Sequence, residues 1–430
     1  MIKSLSIFSS SKCNLNCTYC YVKKEKAVFD YDTQVVNAII NNEYIKRFQK
    51  DFPEYVDTLE TLELWGAEPT IHLDLIADRL KDYKTAFPKL HNFMMSSNYT
   101  LPTFINQVEH MLKAMENIKG TEWNFRLQCS IDGTPSITDT NRGIGTTDAI
   151  LSNLKKLKEL KIPSNVNLSV SNKATIDRLS FDNFLHYDFC KEYFDFLNNN
   201  ISFHCDNKVF RVSAPTCVEP IYYTKEDGIK YAKIIENFIK ITEDSGVYFI
   251  PYIQKRQYYL SEYVRGGFCS QLHSSMIMLP NGEFTNCHRA GFDTIPEHHE
   301  VRAKESLENY NRVLDSSNKW VKDLSGYNLL RANMQSIYDT KSKMLFQEFY
   351  NYLKVLLNSG QISSEYLNDE ILKKHTKLYL YFTMCMQTNK ELTGSFFCGS
   401  SYYLPLFFNG AISKLYDYLY KNNLIIEEDC

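Results

Sequence analysis

Residues 4–20 read SLSIFSSSKCNLNCTYC, a short apolar run followed at once by three cysteines in one loop. The run near Ser4–Phe8 predicts a β-strand, and Cys13, Cys17 and Cys20 follow it with the spacing C-x3-C-x2-C. Four protein thiolates close an iron–sulfur cube, whereas three leave one iron open to an outside ligand. The loop therefore predicts a cluster with one open iron. The alternatives are a structural zinc site, which usually has four ligands, and three buried free thiols.

The cysteine spacing, with the aromatic Tyr19 just before Cys20, resembles the CxxxCx-aromatic-C motif of the radical S-adenosylmethionine (SAM) superfamily. The resemblance implies a 4Fe–4S cluster whose open iron takes the amino and carboxylate groups of SAM, with Tyr19 beside the cofactor. It also implies that an electron from the cluster breaks the sulfonium bond and produces a carbon radical. The protein then supplies position and excludes water.

Two further segments resemble superfamily motifs that contact the cofactor. In LELWGAEPT the family typically has GGEP, and the resemblance assigns Gly66 to close backbone approach and Glu68 to the cofactor's ammonium, with Ala67 in place of the second glycine. In SSNYT the family has a Ser/Thr-Asn-Gly segment, which makes Ser97 and Asn98 candidates even though a tyrosine replaces the glycine.

The stretch LQCSIDGTPSITDTNRG resembles SxDGxxxxHDxxR, a motif of one large branch of the superfamily. By that match Ser130 and Arg142 contact the cofactor's ribose and carboxylate, because a guanidinium can bind a carboxylate in bidentate fashion. The match gives Asp132, Gly133 and Asp139 the role of shaping the turn. The family's histidine is Thr138 here, so no proton transfer is expected there. Asn172 matches a position that often faces the cofactor, although an ordinary turn residue fits it equally well.

Outward from these motifs, the first 250 residues alternate short apolar runs with longer amphipathic stretches, as strands and helices around a parallel sheet do. Strands are predicted near Ser4–Phe8, Thr61–Trp65, Asn92–Ser96, Asn124–Ser130, Asn165–Val170 and Ile201–Val212. Helices are predicted near Thr33–Lys50, Leu73–Tyr83, Phe104–Met115, Thr147–Leu160, Phe181–Leu197 and Lys225–Thr242. Six β/α units are too few for a closed barrel and indicate an open partial barrel or a doubly wound sheet, both of which bind ligands at the carboxyl ends of their strands.

With the resemblance, the expected fold is α/β: a partial (β/α)6 TIM-like barrel over residues 1–250, a small SPASM/twitch-like hairpin region over 251–300 and a mainly helical region over 301–430. Cys269 and Cys287 flank a predicted hairpin turn, Pro280-Asn281-Gly282, and their spacing resembles the opening of the SPASM or twitch extension. The further cysteines of a full extension are missing. At most one auxiliary iron–sulfur cluster is therefore expected, with Cys385 and Cys398 completing its ligands by count. Alternatively, one of these last two cysteines stays free and donates a hydrogen atom to a substrate radical.

Composition limits the other function classes. The 430 residues carry a net charge of -3, which gives no electrostatic reason to expect nucleic acid or an anionic membrane. No apolar run reaches the roughly 20 residues of a membrane helix, so a cytoplasmic protein is expected. Twelve cysteines in a reducing compartment favour metal or redox chemistry.

Members of the resembled branch mostly modify peptides or proteins. The leading hypothesis is a peptide-modifying radical SAM enzyme that crosslinks, epimerises or oxidises a ribosomally made peptide or a protein. An electron donor such as flavodoxin or ferredoxin is expected. The first strand begins almost at the N-terminus, so a separate leader-recognition protein or the C-terminal helices would hold the peptide. A small-molecule radical SAM dehydrogenase and a nonenzymatic iron–sulfur carrier or sensor are the alternatives.

Overall fold

The fold is described from a computed structural model. It describes residues 3–18, 20, 32–162, 164–169, 182–200, 211–213, 224–245, 275–278, 284–285, 353–365 and 408–422. The chain divides into two compact units. The first unit comprises residues 1–175, 195–218 and 273–294, and the second comprises residues 176–194, 219–272 and 295–430.

The first unit is built on one sheet. Its strands are β1 Ser4–Ser10, β2 Thr61–Gly66, β3 Asn92–Ser97, β4 Asn124–Ile131, β5 Ser164–Ser169, β6 Arg211–Ser213, β7 Ser275–Met278 and β8 Phe284–Thr285. They lie in the order β6-β5-β4-β3-β2-β1-β7-β8. Strands β1 to β6 are parallel and adjacent in chain order, as in the predicted partial barrel, whereas a doubly wound sheet would reverse its order among them. The mixed α/β fold with a parallel sheet is thus confirmed.

The structure also describes helices in both units. Their bounds are α1 Asp32–Ile40, α2 Glu43–Asp51, α3 Leu73–Ala86, α4 Phe104–Glu116, α5 Pro135–Arg142, α6 Thr146–Glu159, α7 Tyr187–Asn200, α8 Lys225–Ser245 and α9 Ala411–Lys421. Short 3-10 turns cover Pro53–Thr58, Pro69–His72 and Asn183–Leu185. Among the described helices, none is both long and apolar enough to cross a bilayer.

The two faces of the sheet differ in polarity. Along β4 the alternate residues Phe125, Leu127, Cys129 and Ile131 are buried. The residues between them, Arg126, Gln128 and Ser130, are at least partly exposed. Side chains of a strand alternate between its faces, so one face of β4 belongs to the apolar core and the other is polar and accessible.

Two predictions of single elements need correction. The single helix predicted near Thr33–Lys50 is two helices, because Asn42 adopts a left-handed conformation (φ 55°) between α1 and α2. Helix α5 is absent from the predicted elements, which pass from the strand near Asn124–Ser130 directly to the helix near Thr147–Leu160. It begins with Pro135 in its first turn and is followed by Gly143 at φ 117°, the helix start and stop that these residue types favour.

Near the second predicted cysteine set, β7 pairs antiparallel with β8, which confirms the hairpin. Its turn and both flanking cysteines, Cys269 and Cys287, lie outside the described residues. In the second unit, the core includes edge-to-face aromatic pairs such as Phe194 and Phe238, whose ring centroids are 4.9 Å apart. The described parts of the region predicted to be mainly helical are residues 353–365 and 408–422, which contain helical residues 353–358 and α9.

Candidate cluster site

The cysteine loop leaves the sheet through a tight turn at the end of β1. The buried Ser10 hydroxyl donates to the carbonyl of Lys12 at 3.0 Å and accepts from the Lys12 amide at 3.1 Å. Cys13 therefore lies three residues beyond the strand, at the carboxyl edge of the parallel sheet, where α/β proteins bind their ligands. Cys13, Cys17 and Cys20 are all partly exposed, and none of the three forms a disulfide.

Nitrogen donors from three parts of the first unit point at two of these sulfurs. The Leu15 amide lies 3.3 Å from Cys13 Sγ and Asn98 Nδ2 lies 3.7 Å from it. Arg142 Nη1 lies 4.0 Å from Cys17 Sγ. Outer hydrogen bonds of this kind orient metal-binding side chains and tune the metal, so the loop has the surroundings of a cluster ligand set.

Burial raises the pKa of the Cys17 thiol to about 11, against the opposing charge of Arg142. Because iron binds the thiolate, loading the site would release a proton from this residue. Among the described residues, no group of three or more His, Cys, Asp or Glu side chains is arranged to hold a single metal ion.

Glu68 lies at the end of β2 and is 1% exposed. Its carboxylate accepts from the backbone amide and the hydroxyl of Thr70 and from the backbone amide of Asn98, the last at 2.8 Å. The hydroxyl of Ser97 is a further donor. Burial raises the pKa of Glu68, and these hydrogen bonds oppose the rise. Glu68 ties the end of β2 to the end of β3.

The SSNYT segment places Asn98 against the cysteine loop. Asn98 Nδ2 donates to Asn14 Oδ1 at 2.9 Å, while its Oδ1 accepts from the amide and the hydroxyl of Thr100. Tyr99, which replaces the family's glycine, adopts φ 58°, a conformation that glycine would supply without strain. Its buried ring stacks on Phe104 with centroids 4.5 Å apart. The substitution therefore keeps the turn, and packing offsets its strain.

Gly66 is required by the backbone of β1. A Cβ atom at this residue would lie 2.4 Å from the carbonyl oxygen of Ser10, and the next amide, that of Ala67, donates to the same oxygen at 2.9 Å. The close approach expected at this glycine is thus made to Ser10, beside the register shift between β1 and β2.

Arg142 is bound to a carboxylate of the chain itself. Its Nε and Nη2 donate to the two oxygens of Asp132, both at 3.0 Å. The Asp132 side chain is 0% exposed and that of Arg142 is 10% exposed. Asp132 therefore occupies the Nε/Nη2 edge of the guanidinium, and the third nitrogen, Nη1, faces Cys17.

Side-chain hydrogen bonds of Asp139 and Thr138 stabilise the segment that follows β4. Asp139 accepts from the amides of Gly145 and Thr147 at 2.9 and 2.8 Å, at the start of α6. Burial acts to raise the pKa of Asp139, but the hydrogen bonds from Thr147 and Gly145 hold it below its usual value. The hydroxyl of Thr138, in place of the family's histidine, donates to the carbonyl of Gly133 at 3.0 Å. Its role is structural.

Sequence reasoning missed two features of the site. Asn14 and Thr18 join the loop to the ends of β3 and α5, because Asn14 bonds Asn98 and Thr100 and the Thr18 amide donates to the carbonyl of Asn141 at 2.9 Å. No motif marks such contacts, since each depends on the backbone path of two distant segments. The other predicted residues are Ser130, which is partly exposed on β4, and Tyr19, Asn172, Cys269, Cys287, Cys385 and Cys398, which lie outside the described residues.

The structure thus places Cys13, Cys17 and Cys20 in one loop at the carboxyl edge of a parallel α/β sheet. Comparison with known families bears on this arrangement: residues 7–179 match the Radical SAM superfamily. The superfamily implies a 4Fe–4S cluster and SAM as cofactors.

Two curated relatives were found. An uncharacterized protein of Methanocaldococcus jannaschii is 27% identical over 179 residues, which covers 40% of this chain and 54% of that protein. A cysteine-type anaerobic sulfatase-maturating enzyme of Clostridium novyi is 31% identical over 193 residues, covering 40% of this chain and 46% of that enzyme. The chain spans about half the length of these relatives. Among solved structures, that of Streptococcus suis SuiB aligns with a TM-score of 0.40 at 14% identity and covers 67% of this chain and 60% of that one.

Proposed function

We propose that this chain is a radical SAM enzyme that removes a hydrogen atom from a peptide or protein substrate, with Cys13, Cys17 and Cys20 as the cluster ligands. The observation that carries the proposal is the set of nitrogen donors aimed at Cys13 and Cys17 from Leu15, Asn98 and Arg142. N–H groups at two thiols of one loop suit cluster thiolates, which such donors orient and tune.

The protein's part in the reaction is to hold the cofactors and the substrate and to enclose them. When bound, the cluster and SAM together supply a 5'-deoxyadenosyl radical, whose formation is the chemistry of the cofactor. The exposed polar face of β4, with Ser130 near its carboxyl end, offers the accessible surface on which cofactor and substrate would lie. Tyr19 and Asn172 remain proposed cofactor contacts.

A peptide or protein substrate is proposed from two sources. One is the motif resemblance to a branch of peptide-modifying enzymes, and the other is the similarity to a relative named as a sulfatase-maturating enzyme. Crosslinking, epimerisation and oxidation are the candidate reactions. The enzyme would use an electron donor such as flavodoxin or ferredoxin, in the cytoplasm, where reducing conditions keep thiols available.

We also propose that Cys269 and Cys287 begin an auxiliary iron–sulfur site, completed by Cys385 and Cys398. The antiparallel pairing of β7 with β8 supports a hairpin between the first two cysteines. If no auxiliary cluster forms, Cys385 or Cys398 becomes the proposed hydrogen donor.

The test is anaerobic reconstitution, followed by iron and sulfide counting and an assay for reductive release of 5'-deoxyadenosine. We expect about eight irons per chain with an auxiliary cluster or about four without. Replacing Cys13, Cys17 and Cys20 by alanine should remove about four irons and abolish nucleoside release. The matched control replaces Cys129 and Cys190, two buried thiols outside the loop, and should retain both. A fully loaded wild-type chain that releases no nucleoside would indicate an iron–sulfur carrier or sensor.

A further inference from the structure

Two buried carboxylates at the carboxyl edge of the sheet each begin a series of contacts that ends on a cysteine sulfur. The Glu68 series runs from Glu68 through Asn98 to Cys13, and the Asp132 series runs from Asp132 through Arg142 to Cys17. We propose that Glu68 and Asp132 are positioning residues, which tune the cluster by holding Asn98 and Arg142 against its ligands. The inference rests on the proposed function, because it concerns the cluster that these cysteines would hold.

In the Glu68 series, hydrogen bonds hold both the backbone and the side chain of Asn98. The Glu68 carboxylate holds the Asn98 backbone amide at 2.8 Å. The side-chain oxygen of Asn98 is held by the amide of Thr100 at 2.9 Å. With backbone and oxygen both fixed, Asn98 Nδ2 is left directed at the cysteine loop, 2.9 Å from Asn14 Oδ1 and 3.7 Å from Cys13 Sγ.

In the Asp132 series, a carboxylate again holds the donor, which here is a charged guanidinium. Both Asp132 oxygens hold the guanidinium of Arg142 in a planar pair at 3.0 Å, which fixes the direction of Nη1 toward Cys17 Sγ at 4.0 Å. The amide of Thr18 is bonded to the carbonyl of Asn141, the residue before Arg142. The loop and the donor therefore share one anchor at the end of α5.

A hydrogen bond to a ligand sulfur favours the reduced cluster, because reduction adds negative charge to the sulfurs. Loss of one such donor should therefore make the reduction potential more negative. If the bond favours the reduced state about tenfold, the shift is about 59 mV for a one-electron couple.

The experiment is an EPR-monitored redox titration of the reconstituted chain. Asn98→Leu removes the amide without changing charge, and it should shift the potential to a more negative value. Asn98→Ala tests the same donor if the leucine variant does not fold. Glu68→Gln also changes charge, so its own shift is ambiguous in sign. The decisive quantity is coupling: the effect of Asn98→Leu should shrink in the Glu68→Gln background, as expected when one residue acts through the other.

The same cycle applies to Asp132→Asn with Arg142→Gln. The potential shifts of one mutation from the Glu68 series and one from the Asp132 series should add, because the two series share no residue. The matched control is Asp139→Asn, which removes a hydrogen-bonded carboxylate from the same helix as Arg142 but one that faces Gly145 and Thr147. It should leave the potential unchanged.

The outcomes separate this inference from the proposed function. Equal reduction potentials in wild type and Asn98→Leu would overturn the positioning role even if nucleoside is released. So would potential shifts that add fully for two mutations within one series. A cluster that titrates as expected without nucleoside release would overturn the proposed function alone. A wild-type chain that takes up no cluster would overturn both.

Discussion

Gly66 shows how one residue fixes the geometry at the edge of the sheet. It is the partner of Ser10 across β1 and β2, directly after the register shift in β1, and it has φ 141°. The nearest atoms to a Cβ there would be backbone atoms of Ser10, at 2.4 and 3.1 Å. Backbone cannot rotate away as a side chain can, so any larger residue would push β1 and the cysteine loop that follows it.

Gly66→Ala should therefore lower the free energy of unfolding by more than about 3 kcal/mol, combining backbone strain with overpacking. Gly120→Ala is the matched control. Gly120 also has a positive φ, 79°, but nothing lies within 4 Å of its Cβ position, so only the backbone strain of about 1–3 kcal/mol applies. Urea unfolding of both variants measures the difference. Equal losses would show that the clash with Ser10 is relieved at no cost.

Single residues of the site were predictable where a motif names them, but their partners were not. The motif match marks Glu68 and Arg142 as charged groups near the cofactor, and the structure places both at the edge of the sheet. It cannot show that Asp132 occupies the Arg142 fork, because two residues ten positions apart meet in this way only when α5 forms. Tyr99 is the converse case: its sequence departs from the family, but it adopts a positive φ of 58°, a conformation that glycine favours.

At the scale of elements, a charged cluster joins the start of the cysteine loop to α1 and to the turn after β2. Lys12 Nζ lies 2.7 Å from Asp32, and His72 Nε2 lies 2.9 Å from the other oxygen of the same carboxylate. Lys12 precedes Cys13, Asp32 is the first residue of α1, and His72 ends the 3-10 turn Pro69–His72. Asp32 therefore connects both ends of the segment that carries the three cysteines.

Asp32→Asn should cost about 1–2 kcal/mol at pH 7, the contribution of charge-assisted hydrogen bonds to a buried group. Burial acts to raise the pKa of Asp32, but the hydrogen bonds from His72 and Lys12 lower it below the usual value. A lowered carboxyl pKa stabilises the fold above the ordinary value of about 3.9 and ceases to do so as pH falls through the lowered value. The difference between wild type and variant should thus be full at pH 7 and vanish in acid.

The control for this measurement is Asp74→Asn. Asp74 is also an acid in the first turn of a helix paired with a histidine, His110, at 3.1 Å, but its side chain is 51% exposed. Such exposed pairs contribute about 0–1 kcal/mol. Urea unfolding of both variants across the pH range makes the comparison, and equal losses at pH 7 would contradict a special role for Asp32.

Elements with a strong periodic pattern were predicted closely, and those set by local backbone conformation were not. The first four strands begin at the predicted residues and extend one or two residues further, because alternating apolar runs are the signal that burial requires. The break at Asn42 depends on one left-handed residue inside an otherwise helical pattern. Helix α5 has little apolar periodicity in PSITDTNR, and its start and end residues also suit a turn.

At the scale of the first unit, β1 is an internal strand whose two neighbours come from distant parts of the chain. It pairs with β2 on one side and with β7, some 270 residues later, on the other. The part of the chain that matches the superfamily, residues 7–179, ends before β7. Without β7, the strand that leads into the cysteine loop would be an edge strand with unpaired backbone groups.

Ile277 tests this dependence because it pairs with Ser6 of β1 and is 0% exposed. Ile277→Asp buries an unpaired charge, and its cost of several kcal/mol should loosen β7 from β1. Ile144→Asp makes the same chemical change at a residue that is 99% exposed, where surface substitutions alter stability by about 0.5 kcal/mol or less. In the reconstituted protein, iron should be lost to a chelator much faster from Ile277→Asp than from Ile144→Asp. Equal rates would mean that the cluster loop is held by the contacts of β2, β3 and α5 alone, and that the distant strand stabilises the sheet without supporting the site.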